Sequence, residues 1–264
     1  NRIKTVAVVV APGATELKVI AEAGFDLVQI HGDVSGELLQ LAAERGLKVL
    51  KAFNVSDMDK YEHGGDIYSR NIKLDFSANI NPLGMSDNVI EALHRSVEMC
   101  RNYPDPMCRE LCNKLGEKEN VPNEYVLCGN GAADLIYRCV YAACPKKALL
   151  AAPTFSEYER ALEAVDCEIS FFDLSEENNF ELTADIVPHI EGIDILFLCT
   201  PNNPTGGLIE PQLLYDIADK CRETGTRLIL DMSFLDFSER AAEYSMTGLL
   251  EKGAVIIKAF TKMY

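Results

Sequence analysis

Short apolar runs alternate with amphipathic segments from the start of the chain. The β-branched run Thr5–Val10 predicts a buried strand, and Leu27–Ile30 and Lys48–Phe53 predict two more. Apolar residues at helical spacing, followed by glycine, predict helices over Glu16–Ala23 and Gly36–Arg45. This order predicts parallel strands joined by right-handed crossovers. Because the strands are apolar throughout, both faces of their sheet should be covered.

Residues 63–264 continue the same alternation. Apolar runs predict six strands, at Tyr125–Cys128, Ala148–Ala151, Glu168–Phe172, Ile193–Leu198, Arg227–Asp231 and Ala254–Ala259. Helical spacing predicts six helices, at Asn88–Met99, Met107–Leu115, Ala132–Cys144, Glu157–Val165, Pro211–Glu223 and Met246–Glu251, with Gly116 ending the second. The pattern predicts an α/β fold with a mainly parallel sheet, in which ligands bind at the carboxyl ends of the strands.

A change in composition divides the chain near residue 60. The first 60 residues carry a net charge of −1 and the remainder −15, and all nine cysteines lie after residue 99. Residues 54–62 are polar and without periodicity, which is typical of a linker. We therefore expect two domains, 1–57 and 58–264, with Met58 as a former start of an independent protein.

Charge and cysteine content exclude several classes of protein. A net charge of −16 disfavours a nucleic-acid binder, which needs a clustered basic face. The apolar runs are far shorter than the roughly 20 residues of a membrane helix, and no export signal opens the chain. Nine cysteines without a CxxC pair favour free thiols in a reducing cytoplasm over disulfides or a metal site. We expect a cytoplasmic protein without a metal.

Two candidate ligand-binding segments follow predicted strands in the first half of this domain. Gly129–Asp134 opens a helix, so the backbone of Gly131, Ala132 and Ala133 can hold a phosphate, although a plain strand–helix turn fits equally well. Phe155 follows the next strand and can stack on a flat heterocycle, with a core aromatic as the alternative.

Three more candidates follow later strands. Two prolines and two glycines fix the loop Pro201–Gly207, which holds the carboxamide of Asn203. Asp231 ends an apolar strand and needs a cationic partner there, unless it caps the next turn. Lys262 can form a Schiff base, although a lone lysine is more often a surface charge. Together these five candidates describe a pyridoxal phosphate site. They supply, in chain order, a phosphate-binding backbone turn, an aromatic ring, a carboxamide, a carboxylate and an amine.

Residues 63–264 resemble the fold-type-I pyridoxal phosphate enzymes of aminotransferase class I/II. The segments HGGDIY, DFSANINPLG, YPDP, CGNGAADLIY, APTFSEYERAL, CTPNNPTGG and AFTKMY carry the resemblance. Within this class they are most similar to the threonine-phosphate decarboxylases of cobalamin biosynthesis, with the histidinol-phosphate aminotransferases as close relatives. The resemblance implies decarboxylation of L-threonine O-3-phosphate to aminopropanol phosphate; the alternatives are a histidinol-phosphate-type aminotransferase and an inactive fusion fragment.

The resemblance also implies a role for each candidate residue. Lys262 binds the cofactor covalently and Asp231 pairs with its pyridine nitrogen. Asn203 contacts the ring hydroxyl, Phe155 stacks on the ring, and the backbone of residues 131–133 holds the phosphate. Tyr103 reaches the cofactor phosphate of a neighbouring subunit, which implies a homodimer. Asn79 and Asn81 approach the substrate, a small phosphorylated amino acid.

This sequence departs from the family pattern in three ways. Phe234 stands where a tyrosine often bonds the ring oxygen, and Ala259 where a serine often binds the phosphate. The family also continues beyond its lysine with a phosphate-binding arginine, a central antiparallel strand and a small domain. We therefore expect a C-terminally truncated large domain whose sheet has an internal gap.

Residues 1–60 resemble a different family, the phosphoribosylanthranilate isomerases. Their strand order and the segment Gln29–Asp33 are similar to the third to fifth strands of that (β/α)8 barrel. The family works with a cysteine on its first strand, and this chain has none before Cys100. Three of eight units cannot close a barrel, so we expect no isomerase activity, with His31 and Asp33 in a loop and a helix cap.

Overall fold

The computed structural model describes residues 6–10, 12–25, 27–31, 35–51, 77–244 and 246–263. The chain divides into two compact units, Asn1–Ala78 and Asn79–Tyr264. The predicted domain boundary after residue 57 lies outside the described residues and stays a prediction, as does the cap at Asp33. None of the described helices is long and apolar enough to cross a membrane.

The first unit contains a three-stranded parallel sheet in the order β1-β2-β3. Its elements are β1 (Val6–Val10), α1 (Ala14–Glu22), β2 (Leu27–His31), α2 (Gly36–Glu44) and β3 (Lys48–Lys51). Leu17 of α1 and Ala42 of α2 pack with Val28 and Ile30 of β2 in a small core. The alternation of strands and helices is as predicted, and His31 is the last residue of β2.

The second unit is built on a five-stranded sheet in the order β5-β4-β6-β7-β8, in which all pairs are parallel. The strands are β4 (Lys147–Ala152), β5 (Glu168–Asp173), β6 (Ile195–Cys199), β7 (Arg227–Asp231) and β8 (Val255–Ile257). The helices are α3 (Asp87–Ser96), α4 (Arg109–Glu119), α5 (Gly131–Ala143), α6 (Glu157–Glu163), α7 (Pro211–Thr224) and α8 (Met246–Glu251). The α/β fold with a parallel sheet is confirmed.

Alternate residues of the central strands enter two different hydrophobic cores. Leu149 and Leu196 pack with Leu214 of α7, whereas Leu150 and Phe197 pack with Ile136 of α5. Because successive side chains of a strand point to opposite faces, the sheet is covered by helices on both sides. This arrangement explains why the strands read as continuous apolar runs.

Two predictions at element boundaries were wrong. Tyr125–Cys128 is not a strand: a 3-10 turn covers Asn123–Tyr125, and no strand of the described residues pairs with the segment after it. Gly116 does not end α4, which continues to Glu119 and stops at Asn120 in the left-handed region, φ 54°. Gly116 is required for another reason, since a Cβ there would lie 2.7 Å from the carbonyl oxygen of Val121.

Candidate functional site

Four of the predicted site residues lie at the carboxyl ends of strands in the second sheet. Phe155 follows β4, Asn203 follows β6, Asp231 ends β7, and Lys262 follows β8. Because these strands are all parallel, their carboxyl ends meet at the same edge. The topology therefore places four of the five predicted elements on one side of the sheet.

Asp231 is the buried carboxylate of this edge, with 3% of its surface exposed. The hydroxyl of Tyr158 donates to Oδ2 over 2.8 Å, and the backbone N–H of Ser233 donates to Oδ1 over 2.9 Å. Among the described residues no cation forms an ion pair with it. A buried carboxylate held only by neutral donors is electrostatically suited to a cationic ligand such as a protonated pyridine nitrogen.

Tyr158 connects Asp231 to the predicted stacking residue. Its ring stacks on Phe197, with centroids 5.0 Å apart, and meets Phe155 edge-on at 5.6 Å. Burial beside Asp231 raises the pKa of the Tyr158 phenol well above its usual value and that of the Cys199 thiol to about 12. The phenol therefore stays protonated and remains a donor at neutral pH.

The loop after β6 is held by Asn202 rather than by Asn203. The buried amide of Asn202 donates to the carbonyl of Pro153 and to Thr205 Oγ1, and its oxygen accepts from the Thr154 hydroxyl. These bonds, at 2.9, 3.0 and 3.1 Å, fasten the loop to the segment after β4. The half-buried Asn203 is thus presented on a loop whose position is fixed by its neighbour.

Asn79, Asn203 and Phe234 line one open cleft of about 440 Å³. Asn81 lies nearby in the chain and holds the lysine segment: its backbone N–H donates to the carbonyl of Lys262 and its amide to that of Met263, both over 2.9 Å. The segment predicted to approach the substrate is thus fastened to the segment that carries Lys262.

Lys258 and Lys262 lie close together in the sequence after β8, and the structure distinguishes them. Lys258 forms ion pairs with Glu119 at 3.0 Å and Asp236 at 3.4 Å. Lys262 has no ion pair within the described part of the chain, and its Nζ lies 5.8 Å from the ring centroid of Phe234. Lys262 is therefore the amine that remains available to a ligand.

The turn before α5 is closed by local hydrogen bonds, in which the Gly131 N–H donates to the carbonyl of Gly129 over 3.0 Å. Gly131 begins the helix with φ +83°, and the Asn130 N–H donates to the carboxylate of Asp134 over 2.9 Å. A Cβ at Gly129 would lie 2.7 Å from the side chain of Leu135, so a larger residue there would have to displace that side chain. The first N–H groups of α5, including those of Ala132 and Ala133, have no partner within the helix.

A largely apolar cavity of about 260 Å³ joins this turn to the lysine segment. It is lined by Gly129 and Gly131 on one side and by Ala259, Phe260 and Thr261 on the other. Its wall also includes Ile256 of β8, which is the outermost strand of the sheet beside β7. The fifth predicted element is therefore next to the segment that leads to Lys262.

Tyr103 is not brought to this site. Its side chain is fully exposed, and it lines neither of the two cavities. The sequence reading also missed two residues, Tyr158 and Asn202. Tyr158 is one helical turn after Phe155, a spacing visible in the sequence. The role of Asn202 depends instead on contact with Pro153, which is distant in the sequence.

Comparison with known proteins identifies the family to which this fold belongs. Residues 71–263 match the family described as aminotransferase class I and II, and the chain belongs to that family. Its members are pyridoxal phosphate-dependent enzymes. The chain is 38% identical to threonine-phosphate decarboxylase of Salmonella typhimurium over 212 residues. The alignment covers 76% of this chain and 58% of that protein.

Two solved structures show the same fold with similar coverage. Histidinol-phosphate aminotransferase of Clostridium acetobutylicum aligns with a TM-score of 0.62 at 26% identity, over 71% of this chain and 55% of that one. L-threonine-O-3-phosphate decarboxylase of Porphyromonas gingivalis aligns with a TM-score of 0.58 at 26% identity, over 70% of this chain and 54% of that one. The chain thus spans little more than half the length of the relatives it matches.

Proposed function

We propose that residues 71–263 carry the cofactor-binding edge of a pyridoxal 5′-phosphate enzyme that decarboxylates L-threonine O-3-phosphate to aminopropanol phosphate. The observation that carries the cofactor proposal is the buried carboxylate of Asp231, which forms no ion pair with any described residue and ends a strand on the same sheet edge as Lys262. The 38% identity to the Salmonella decarboxylase supports the choice of reaction.

In this proposal each residue has a simple physical task. Lys262 supplies the amine that holds the cofactor covalently, and Asp231 keeps a proton on the pyridine nitrogen by its negative charge. Phe155 would support the ring face, Asn203 would donate to the ring oxygen, and the backbone N–H groups of Ala132 and Ala133 would bind the phosphate. The bound cofactor supplies an electron sink for the pair left when carbon dioxide departs.

The cofactor proposal is tested by two matched lysine substitutions. Purified chain mixed with pyridoxal phosphate should absorb at about 420 nm, the region of a protonated lysine imine. Lys262→Arg should abolish this band, because arginine cannot form the imine. Lys258→Arg should keep it, because arginine preserves the ion pairs with Glu119 and Asp236. No lysine-dependent band would favour the alternative of an inactive fusion fragment.

A histidinol-phosphate-type aminotransferase is the second candidate, favoured by the structural match at TM-score 0.62. The two reactions differ in the bond that breaks at the substrate α-carbon. Product analysis with L-threonine O-3-phosphate and with histidinol phosphate separates them. Released carbon dioxide supports the decarboxylase, and amino transfer to 2-oxoglutarate supports the aminotransferase.

A second copy of this chain is the proposed partner. No residue of α3 is buried, although Leu93 and Val97 form an apolar face around its end, and Tyr103 is fully exposed nearby. The exposed apolar face of α3 supports a homodimer, in which Tyr103 would reach the neighbouring subunit as the resemblance implies. In sedimentation velocity Leu93→Glu should weaken the dimer, whereas the control Asn88→Glu on the polar face should not.

For the first unit we propose a fragment of a phosphoribosylanthranilate isomerase-like barrel without isomerase activity. Its parallel strands with alternating helices support the resemblance. Turnover of phosphoribosylanthranilate that disappears on mutating residues 1–57 would contradict the proposal.

A further inference from the structure

Three cysteines gather just before the turn that precedes α5. Cys112 lies in α4 and Cys128 lies directly before Gly129, and their sulfur atoms are 3.7 Å apart. Cys108 precedes α4 and is close enough to affect the Cys128 thiol. Cys112 and Cys128 are therefore the two thiols whose sulfur atoms face each other directly across α4 and the segment before Gly129.

The surroundings hold these thiols in a defined arrangement. Cys112 is buried and its thiol faces the carbonyl oxygens of Val126 at 3.4 Å and Met107 at 3.7 Å. Burial and the neighbouring thiols raise the pKa of Cys128 to about 11. Within the described residues no group of three or more His, Cys, Asp and Glu is arranged to hold a metal ion.

We propose that Cys112 and Cys128 are an oxidisable dithiol that a hydroperoxide closes to an intramolecular disulfide. The Cys112 thiolate attacks one peroxide oxygen, the O–O bond breaks, and hydroxide leaves. The Cys128 sulfur then attacks the resulting sulfenic sulfur, the S–S bond forms, and the sulfenic oxygen leaves as water. Two thiols are oxidised by two electrons and one hydrogen peroxide becomes two water molecules.

The geometry requires only a small movement. The sulfur atoms must approach from 3.7 Å to about 2 Å, the length of a disulfide bond. The new bond would join α4 to the residue before Gly129, in the wall of the 260 Å³ cavity that leads to the lysine segment. Oxidation would therefore modify the wall of this cavity without changing a residue assigned to the cofactor.

The test uses the full chain with the exposed Cys100 and Cys144 replaced by serine, which removes intermolecular bridging at the surface. After reduction and titration with hydrogen peroxide, the chain should lose two titratable thiols, and non-reducing peptide mapping should find Cys112 joined to Cys128. The rate of bond formation should rise with pH toward 11, because Cys128 must lose its proton as it attacks.

Matched substitutions decide the identity of the pair. Cys112→Ser and Cys128→Ser should each prevent the intramolecular disulfide, whereas Cys139→Ser, a half-buried cysteine of α5, should not. Circular dichroism before oxidation shows whether each variant is folded. A bridge between Cys108 and Cys128, or oxidation to sulfinic acid without any bridge in the parent chain, would overturn the proposal.

Discussion

The hydroxyl of Tyr158 donates a 2.8 Å hydrogen bond to Oδ2 of Asp231, and the two side chains are buried together. The same tyrosine meets the ring of Phe155 edge-on at 5.6 Å. One residue therefore fixes the carboxylate that would meet a pyridine nitrogen and the ring that would cover its face.

Removing the Tyr158 hydroxyl should destabilise the protein and weaken the site. Tyr158→Phe keeps the ring contacts but takes one of two donors from a buried carboxylate, which costs about 1 to 3 kcal/mol. We expect a lower midpoint of thermal unfolding and about tenfold weaker pyridoxal phosphate binding, measured by calorimetry and by titration of the cofactor band. Tyr137→Phe, half-buried on α5, is the control. Unchanged stability and affinity would show that the bond does not position Asp231.

Two adjacent asparagines should give opposite results. Asn202→Ala removes three buried hydrogen bonds and should lower the free energy of unfolding by about 2 to 4 kcal/mol. Asn203→Ala should change stability by less than about 0.5 kcal/mol and should weaken cofactor binding. Denaturant unfolding and cofactor titration of both variants separate the two roles. Equal loss of stability in both would contradict the assignment of Asn202 as the residue that holds the loop.

Gly116 should not tolerate alanine, although it lies inside a helix. Alanine normally stabilises a helix interior by about 1 kcal/mol relative to glycine. Here its Cβ would lie 2.7 Å from the Val121 carbonyl, so we expect Gly116→Ala to destabilise by about 1 to 3 kcal/mol. Gly36→Ala in α2, where nothing lies within 4 Å of the added Cβ, is the control. Stabilisation by Gly116→Ala in thermal unfolding would contradict the structure.

Asp194 should make stability depend on pH in the acid range. Its carboxylate accepts from the backbone N–H groups of Lys147 and Lys146, and these bonds lower its pKa below the ordinary value of 3.8. The charged form is therefore stabilised by folding. This stability is present above pH 3.8 and is lost as the pH falls through the lower pKa of the folded state.

The measurement is urea unfolding of wild type and Asp194→Asn from neutral to acid pH. The wild type should be more stable at neutral pH, and the difference should shrink below pH 3.8. A difference that stays constant across the range would mean that the charge of Asp194 does not contribute.

The apolar strands were predictable from sequence because burial on both faces leaves a continuous signal. The bounds of the strand Arg227–Asp231 were predicted correctly at both ends. The common location of the candidate residues at the carboxyl ends of the strands followed from the prediction that the strands are parallel. Tyr125–Cys128 has a strand-like composition but no strand beside it, and pairing is not visible in local composition. The role of Gly116 depends on the backbone of Val121, and that of Asn202 on a segment about fifty residues earlier, so neither followed from a local pattern.

The two cores on opposite faces of the second sheet make this unit modular. Phe155, Tyr158 and Ala132 all pack in the core beneath α5 and α6, which also receives Leu150. Its sequence neighbour Leu149 belongs to the other core, beneath α7. A designer could therefore repack the core beneath α7 for stability while leaving intact the core that supports Phe155 and Tyr158. A substitution at Leu149 would then affect the packing of α7, whereas a substitution at Leu150 would affect the packing beneath the candidate site.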